Sequence, residues 1–166
     1  MPALEAGVQA PEIELQDLDG RKFSLKEARK QGPVVAAFFK VSCPVCQLAF
    51  PYLERIFKAY AKSGKFSFVG VSQDNASDTK AFNREYGVTF PVLLDPVGKY
   101  PVSNAYGLTN VPTVFLISPE GEIEFSSVSW SKADMEQLGR RLANISDMPV
   151  EQIFKSGEKV ADFKPG

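Results

Sequence analysis

The sequence predicts an α/β fold with a mixed, partly parallel central sheet flanked by helices. Three observations carry this reading. Pro33-Val34-Val35-Ala36-Ala37-Phe38-Phe39 is apolar on consecutive positions, the pattern of a strand buried on both faces. A second apolar run covers Phe66 to Ser72, and a third, Thr89-Phe90-Pro91-Val92-Leu93-Leu94, follows it. The segments between these runs have helical character, and strands alternating with helices at such lengths build sheets with parallel pairs.

Taken in order, residues Pro11 to Phe23 alternate Ile13, Leu15 and Leu18 with polar positions, and Leu18-Asp19-Gly20-Arg21 supplies a tight turn, which predicts a leading β-hairpin. Ser24-Leu25-Lys26-Glu27 reads as a short helix before the first buried strand. From Pro44 to Ala61, Leu48, Leu53, Ile56, Phe57 and Tyr60 recur at helical spacing until Gly64 closes the element. After the strand at 66–72 comes a helix around Ser77 to Phe82, with Gly87 as its stop. A short element around Tyr100 to Tyr106, a strand from Pro112 to Ser118, the turn Pro119-Glu120-Gly121, a strand from Glu122 to Val128 and a helix from about Lys132 to Ala143 complete the body. Residues 1–145 read as one domain. Residues 146–166 read as a charged tail that packs side chains such as Ile153 and Phe154 onto the body or extends from it.

The chain has 166 residues, enough for one domain burying about two-thirds of its unfolded surface, and its 44% apolar content with 13 Phe supports a full core. Nineteen basic and twenty acidic side chains leave a net charge of -1 with no block of like charge, which argues against nucleic acid and anionic membranes as partners. The longest strongly apolar run, Val34 to Phe39, is far below the roughly 18 residues of a membrane span, and Met1-Pro2-Ala3-Leu4-Glu5 has neither a basic start nor an apolar stretch. The expected setting is the cytoplasm.

The two cysteines, Cys43 and Cys46, stand at the junction of the first buried strand and the following helix. A bridge between positions so close in sequence closes almost no loop and adds little stability, so structure is a weak reason for the pair. Near the helix N-terminus, free N–H groups and the dipole favour a thiolate at Cys43, which makes it the expected nucleophile. Cys46 lies one turn on and suits the resolving role in thiol exchange. Histidine is absent, so the commonest general base and metal ligand are missing. No metal is expected. Two readings stay open on the residues alone: inert packing of two small hydrophobes, and half of a four-cysteine centre shared across a dimer.

Ala10-Pro11-Glu12-Ile13, Asp17-Leu18-Asp19-Gly20, Phe38-Phe39-Lys40-Val41-Ser42-Cys43-Pro44-Val45-Cys46, Phe50-Pro51 and Val111-Pro112-Thr113 together resemble the redoxin branch of the thioredoxin superfamily. That branch includes the TlpA and ResA type oxidoreductases and the AhpC/TSA peroxiredoxins. The resemblance covers about residues 8 to 145. It implies a thioredoxin-like fold with a four- or five-stranded sheet, the dithiol at the start of the first main helix, and a kink of that helix at Pro51. It also implies that Pro112 is cis and faces the sulfurs, and that Pro44, Val45 and Val111 meet the substrate, with Val111 pairing its backbone to an extended strand. The chain departs from the pattern at Ala37 and Ala49, where relatives carry an acid near the dithiol. Lys40 is the nearest charged candidate to tune the thiolate, if its ammonium turns inward.

These features together predict a thiol:disulfide oxidoreductase that reduces protein disulfides, recharged by an electron-donor redox protein. It needs no cofactor beyond a redox-active Cys43–Cys46 disulfide. A peroxiredoxin is the rival enzyme, but its Pro-x-x-x-Thr-x-x-Cys pattern meets Ala36 and Lys40 counted back from Cys43, and Phe39 and Cys43 counted back from Cys46. A non-catalytic thioredoxin-like binding module is the rival from another class; such modules commonly lose one or both cysteines.

Overall fold

The computed structural model describes residues 3–166. The hairpin forms from β1 (Glu14–Asp17) and β2 (Lys22–Ser24). Ser24 then caps a single helical turn, α1 (Leu25–Ala28), by accepting the Glu27 N–H on its hydroxyl. The buried run at 34–39 is β3 (Val34–Phe39), every residue of it inside. It feeds α2 (Pro44–Tyr60), which runs on through Pro51. Beyond lie β4 (Ser67–Ser72), α3 (Ala76–Tyr86), β5 (Val92–Leu94), α4 (Pro101–Ala105), β6 (Thr113–Ile117), β7 (Ile123–Val128), β8 (Trp130–Ser131), α5 (Lys132–Ser146) and β9 (Phe163–Lys164). Gly87 adopts the left-handed conformation that ends α3, with φ at 70°.

The main sheet has seven strands in the order β2-β1-β5-β4-β3-β6-β7, more than the four or five implied by resemblance. The hairpin accounts for the difference: β1 pairs antiparallel with β5, matching Gln16 with Leu94, so the leading strands extend the sheet. β3 and β4 run parallel, as do β4 and β5, whereas β6 lies antiparallel to β3. The third apolar run is strand only over 92–94. Thr89 and Phe90 are instead bound by the carboxylate of the buried Glu54 on α2, which accepts both backbone N–H groups and the Thr89 hydroxyl.

Alternation along β3 divides the core into two layers. Val35, Ala37 and Phe39 face α2, α3 and α5, while Val34, Ala36 and Phe38 face α1, α4 and the hairpin. The first layer is dominated by aromatic rings: Phe39 lies 4.2 Å from Phe50 and 4.9 Å from Phe82 between centroids, and Phe50 lies 5.8 Å from Phe90. Each such side chain contributes about 1.5–3 kcal/mol by burial, so α2 is fastened to the sheet just behind its first turn. Gly70 on β4 makes room for this layer, since a Cβ there would meet the Phe90 ring at 3.1 Å.

The segment after α5 folds back on the body. Ile153 and Phe154 are buried, Phe154 stacking at 5.0 Å from Tyr52, and β9 pairs antiparallel with β8. Arg55 on α2 anchors this return with a bidentate pair to Glu158 at 2.7 and 2.8 Å and a hydrogen bond to the Ile153 carbonyl. Among the described residues, no helix is long and apolar enough to cross a membrane.

Candidate active site

The dithiol sits where β3 ends and α2 begins, and the local sequence explains the junction. Cys43 is the N-cap residue of α2, extended at φ -81° and ψ 116°, and Pro44 takes the first helical position, where its missing N–H costs nothing. The Cys46 N–H points at Cys43 Sγ, 3.3 Å away. An N–H in that position steadies negative charge on the sulfur as it develops during exchange. Cys43 is half-buried and Cys46 has no exposed surface; both are free thiols. Burial pushes the Cys46 thiol well up from its ordinary value; a hydrogen bond from the Lys40 backbone opposes this, and Cys43 and Asp74 reinforce it.

Across from the sulfurs lies the loop that enters β6. The Val111–Pro112 peptide is cis, as the resemblance implies, and Pro112 is buried. The Cys43 thiol lies 3.5 Å from the Val111 carbonyl and donates towards it. Thr113 ties the loop from within by donating its hydroxyl to the Asn110 carbonyl at 2.8 Å, and the Pro112 carbonyl accepts the Ser129 N–H at 2.9 Å. Cys43, Cys46, Val111 and Pro112 therefore converge. Pro44 is exposed and Val45 half-buried on the first turn of the helix, beside the sulfurs in sequence.

Lys40 departs from the expectation. Its side chain is exposed, and it meets the dithiol through its main chain: its carbonyl accepts the Cys43 N–H at 3.3 Å, and its backbone hydrogen-bonds the Cys46 sulfur. The β3 alternation that sends Phe39 into the aromatic layer turns the next side chain outward.

Two residues not singled out from the sequence brace the loop. Asp74, in the connection from β4 to α3, accepts the Val41 N–H at 2.8 Å, and the Gln47 side-chain amide donates to the Val41 carbonyl at 3.0 Å. The two peptide groups flanking Val41, just before the cysteines, are thus both held. The available signal was positional: Asp74 follows the C-terminal end of a parallel strand, where sites of α/β sheets gather. The cleft at the dithiol's edge, lined by Lys40, Gln73, Leu108, Thr109, Asn110 and Val111, has a volume of only about 170 Å³. A larger cavity of about 550 Å³ lies between α5 and the returning tail, lined by residues such as Glu136, Arg140 and Phe154 and by none of the dithiol loop.

Comparison with known proteins agrees with this geometry. Residues 6–126 match the model of the AhpC/TSA family. The thiol-disulfide oxidoreductase ResA of Geobacillus thermodenitrificans is 32% identical over 137 residues, covering 81% of this chain and 76% of that protein. The thioredoxin domain of a thiol-disulfide oxidoreductase from Bacteroides vulgatus superposes with a TM-score of 0.73 at 27% identity, over 84% of this chain and 98% of that one. The peroxidoxin BcpB of Mycobacterium tuberculosis superposes with a TM-score of 0.69 at 21% identity, over 88% and 99% of the two chains, which is a likeness of fold alone. The peroxidatic pattern is missing around both cysteines, so the peroxiredoxin alternative is not favoured. The chain belongs to the AhpC/TSA family, within which it is a thioredoxin-like thiol-disulfide oxidoreductase.

Proposed function

We propose that the chain reduces disulfide bonds in protein substrates, with Cys43 as attacking thiol and Cys46 as resolving thiol. One observation carries the reading: a half-exposed sulfur capping α2, with a fully buried partner one turn behind it and the Val111 carbonyl beside it. In the first step the Cys43 thiolate attacks a substrate disulfide, forming a Cys43–substrate bond and releasing one substrate thiolate, which takes a proton. Cys46 then gives up its proton and attacks Cys43 Sγ. The Cys43–Cys46 disulfide forms and the second substrate thiol departs, so two electrons and two protons pass to the substrate. An electron-donor redox protein restores the dithiol by the reverse exchange, and the internal disulfide is the only redox group required.

A protein substrate is favoured by the shape of the cleft. About 170 Å³ is too little to enclose a typical small ligand, which takes roughly 300 Å³ or more, whereas the main-chain edge at Val111 suits an extended polypeptide. The reducing direction fits a cytoplasmic setting, where cellular thiol pools keep such pairs in the dithiol form.

The test is trapping. Cys46→Ser leaves the attacking thiol and removes the group that releases the mixed disulfide, so reducible adducts with extract proteins accumulate on a non-reducing gel. Cys43→Ser yields none. If Cys46→Ser carries no reducible partner, the assignment of roles is wrong.

A further inference from the structure

We propose that residues 162–166 form an arm occupying the Val111 edge that an extended substrate needs, so that a polypeptide must lift the arm before its disulfide reaches Cys43. The inference rests on the exchange reading above and adds to it how substrates are admitted. The base of the arm is fixed: the buried Trp130 donates its indole N–H to the Ala161 carbonyl at 2.6 Å, and the Lys132 N–H donates to the Asp162 carbonyl at 2.9 Å. Phe163 and Lys164 then pair with Ser131 and Trp130. Pro165 has no N–H to continue the ladder, and the chain crosses to the loop before β6.

There Gly166 meets the substrate edge directly. Its N–H donates to Ser129 Oγ at 3.0 Å, and its carbonyl accepts from the Asn110 side-chain amide at 2.9 Å. Its backbone lies so close to Val111 that a Cβ would run into the Val111 carbonyl, the group to which the Cys43 thiol donates. Main chain laid on this residue is what an incoming strand would supply, so arm and substrate strand compete for one place. The hold is light. All five residues from 162 to 166 are exposed, Phe163 at 60%, and among the described residues the hold past the two-residue ladder comes from the two Gly166 hydrogen bonds.

A small disulfide needs Cys43 alone, whereas a protein disulfide brings flanking main chain, and this difference supplies the test. The pre-reduced protein, a Gly166→Val variant and a variant lacking residues 165–166 are mixed with excess oxidised insulin or with bis(2-hydroxyethyl) disulfide, and second-order rate constants are read from quenched time points. Both variants should speed insulin reduction roughly five- to thirty-fold, the factor matching loss of one to two ordinary hydrogen bonds, and leave the small disulfide unchanged. An unchanged insulin rate overturns the proposal, and so does a slower one, which would make the arm part of the docking platform. Equal acceleration of both substrates also overturns it, since the arm would then be a general cover. If the unmodified protein reduces neither substrate, the failure lies with the exchange reading itself.

Discussion

Limited alkylation of the reduced protein measures how far the fold separates two cysteines only three positions apart. Cys43 is half-buried, and Cys46 has no exposed surface. A reagent reaches the Cys46 sulfur only if the start of α2 opens through its second turn, which draws Phe50 out of its contacts with Phe39, Phe82 and Phe90. Re-exposing one Phe side chain costs about 1.5–3 kcal/mol. Losing the Cys46 N–H contact to Cys43 Sγ adds about 1 kcal/mol. The sum, about 2.5–4 kcal/mol, corresponds to roughly 100- to 1000-fold slower access. Burial also raises the Cys46 thiol, and only the thiolate reacts, so this range is a lower bound on the selectivity. The assay is substoichiometric iodoacetamide at pH 7 followed by digestion and mass spectrometry. Lys40 and Arg55 bracket both cysteines in one tryptic peptide, so fragment ions must localise the label. Labelling of Cys46 at more than about a tenth of the Cys43 rate would refute the reasoning.

Two further outcomes concern the scaffold. Glu54→Ala strands two backbone N–H groups and a hydroxyl around Thr89 and Phe90, and should lower the unfolding free energy in urea by about 3–5 kcal/mol, whereas Glu54→Gln, which keeps an acceptor oxygen, should cost about half as much. The Arg55 guanidinium and the Lys155 N–H hold the Glu158 carboxyl down to about 2. Because the folded value lies below the ordinary one, the anchor is fully present above about pH 4.3 and is lost as pH falls towards 2. Hydrogen exchange at 153–160 should accelerate across that window, and Arg55→Met should remove the dependence.

Much of this architecture was legible because burial leaves a mark along the chain. Six consecutive apolar residues announced β3, and the position of Cys43 between a buried strand and a Pro-initiated helix marked the site before any contact was known. The cis state of Pro112 was accessible only through family resemblance, since an X-Pro bond taken alone favours trans. The seven-stranded sheet was not legible, because alternation identifies the hairpin but says nothing about the edge on which Gln16 meets Leu94. Lys40 misled because charge is visible in a sequence and side-chain direction is not. The β8–β9 ladder is two residues long, too short to show any period, and so the return of the tail towards Val111 left no signal.

The antiparallel pairing of β3 with β6 has a consequence for how such a protein can change. Phe38 stands opposite Thr113, so the exit of one strand abuts the entrance of the other, and Cys43 meets Val111 across a separation of 68 positions through a single ladder. Insertions or deletions in the connections between α3 and β6 therefore leave the reacting pair where it is, provided that ladder persists. The reactive centre is metrically independent of the surface that surrounds it, which lets the contacts that select partners drift while the sulfur chemistry keeps its geometry.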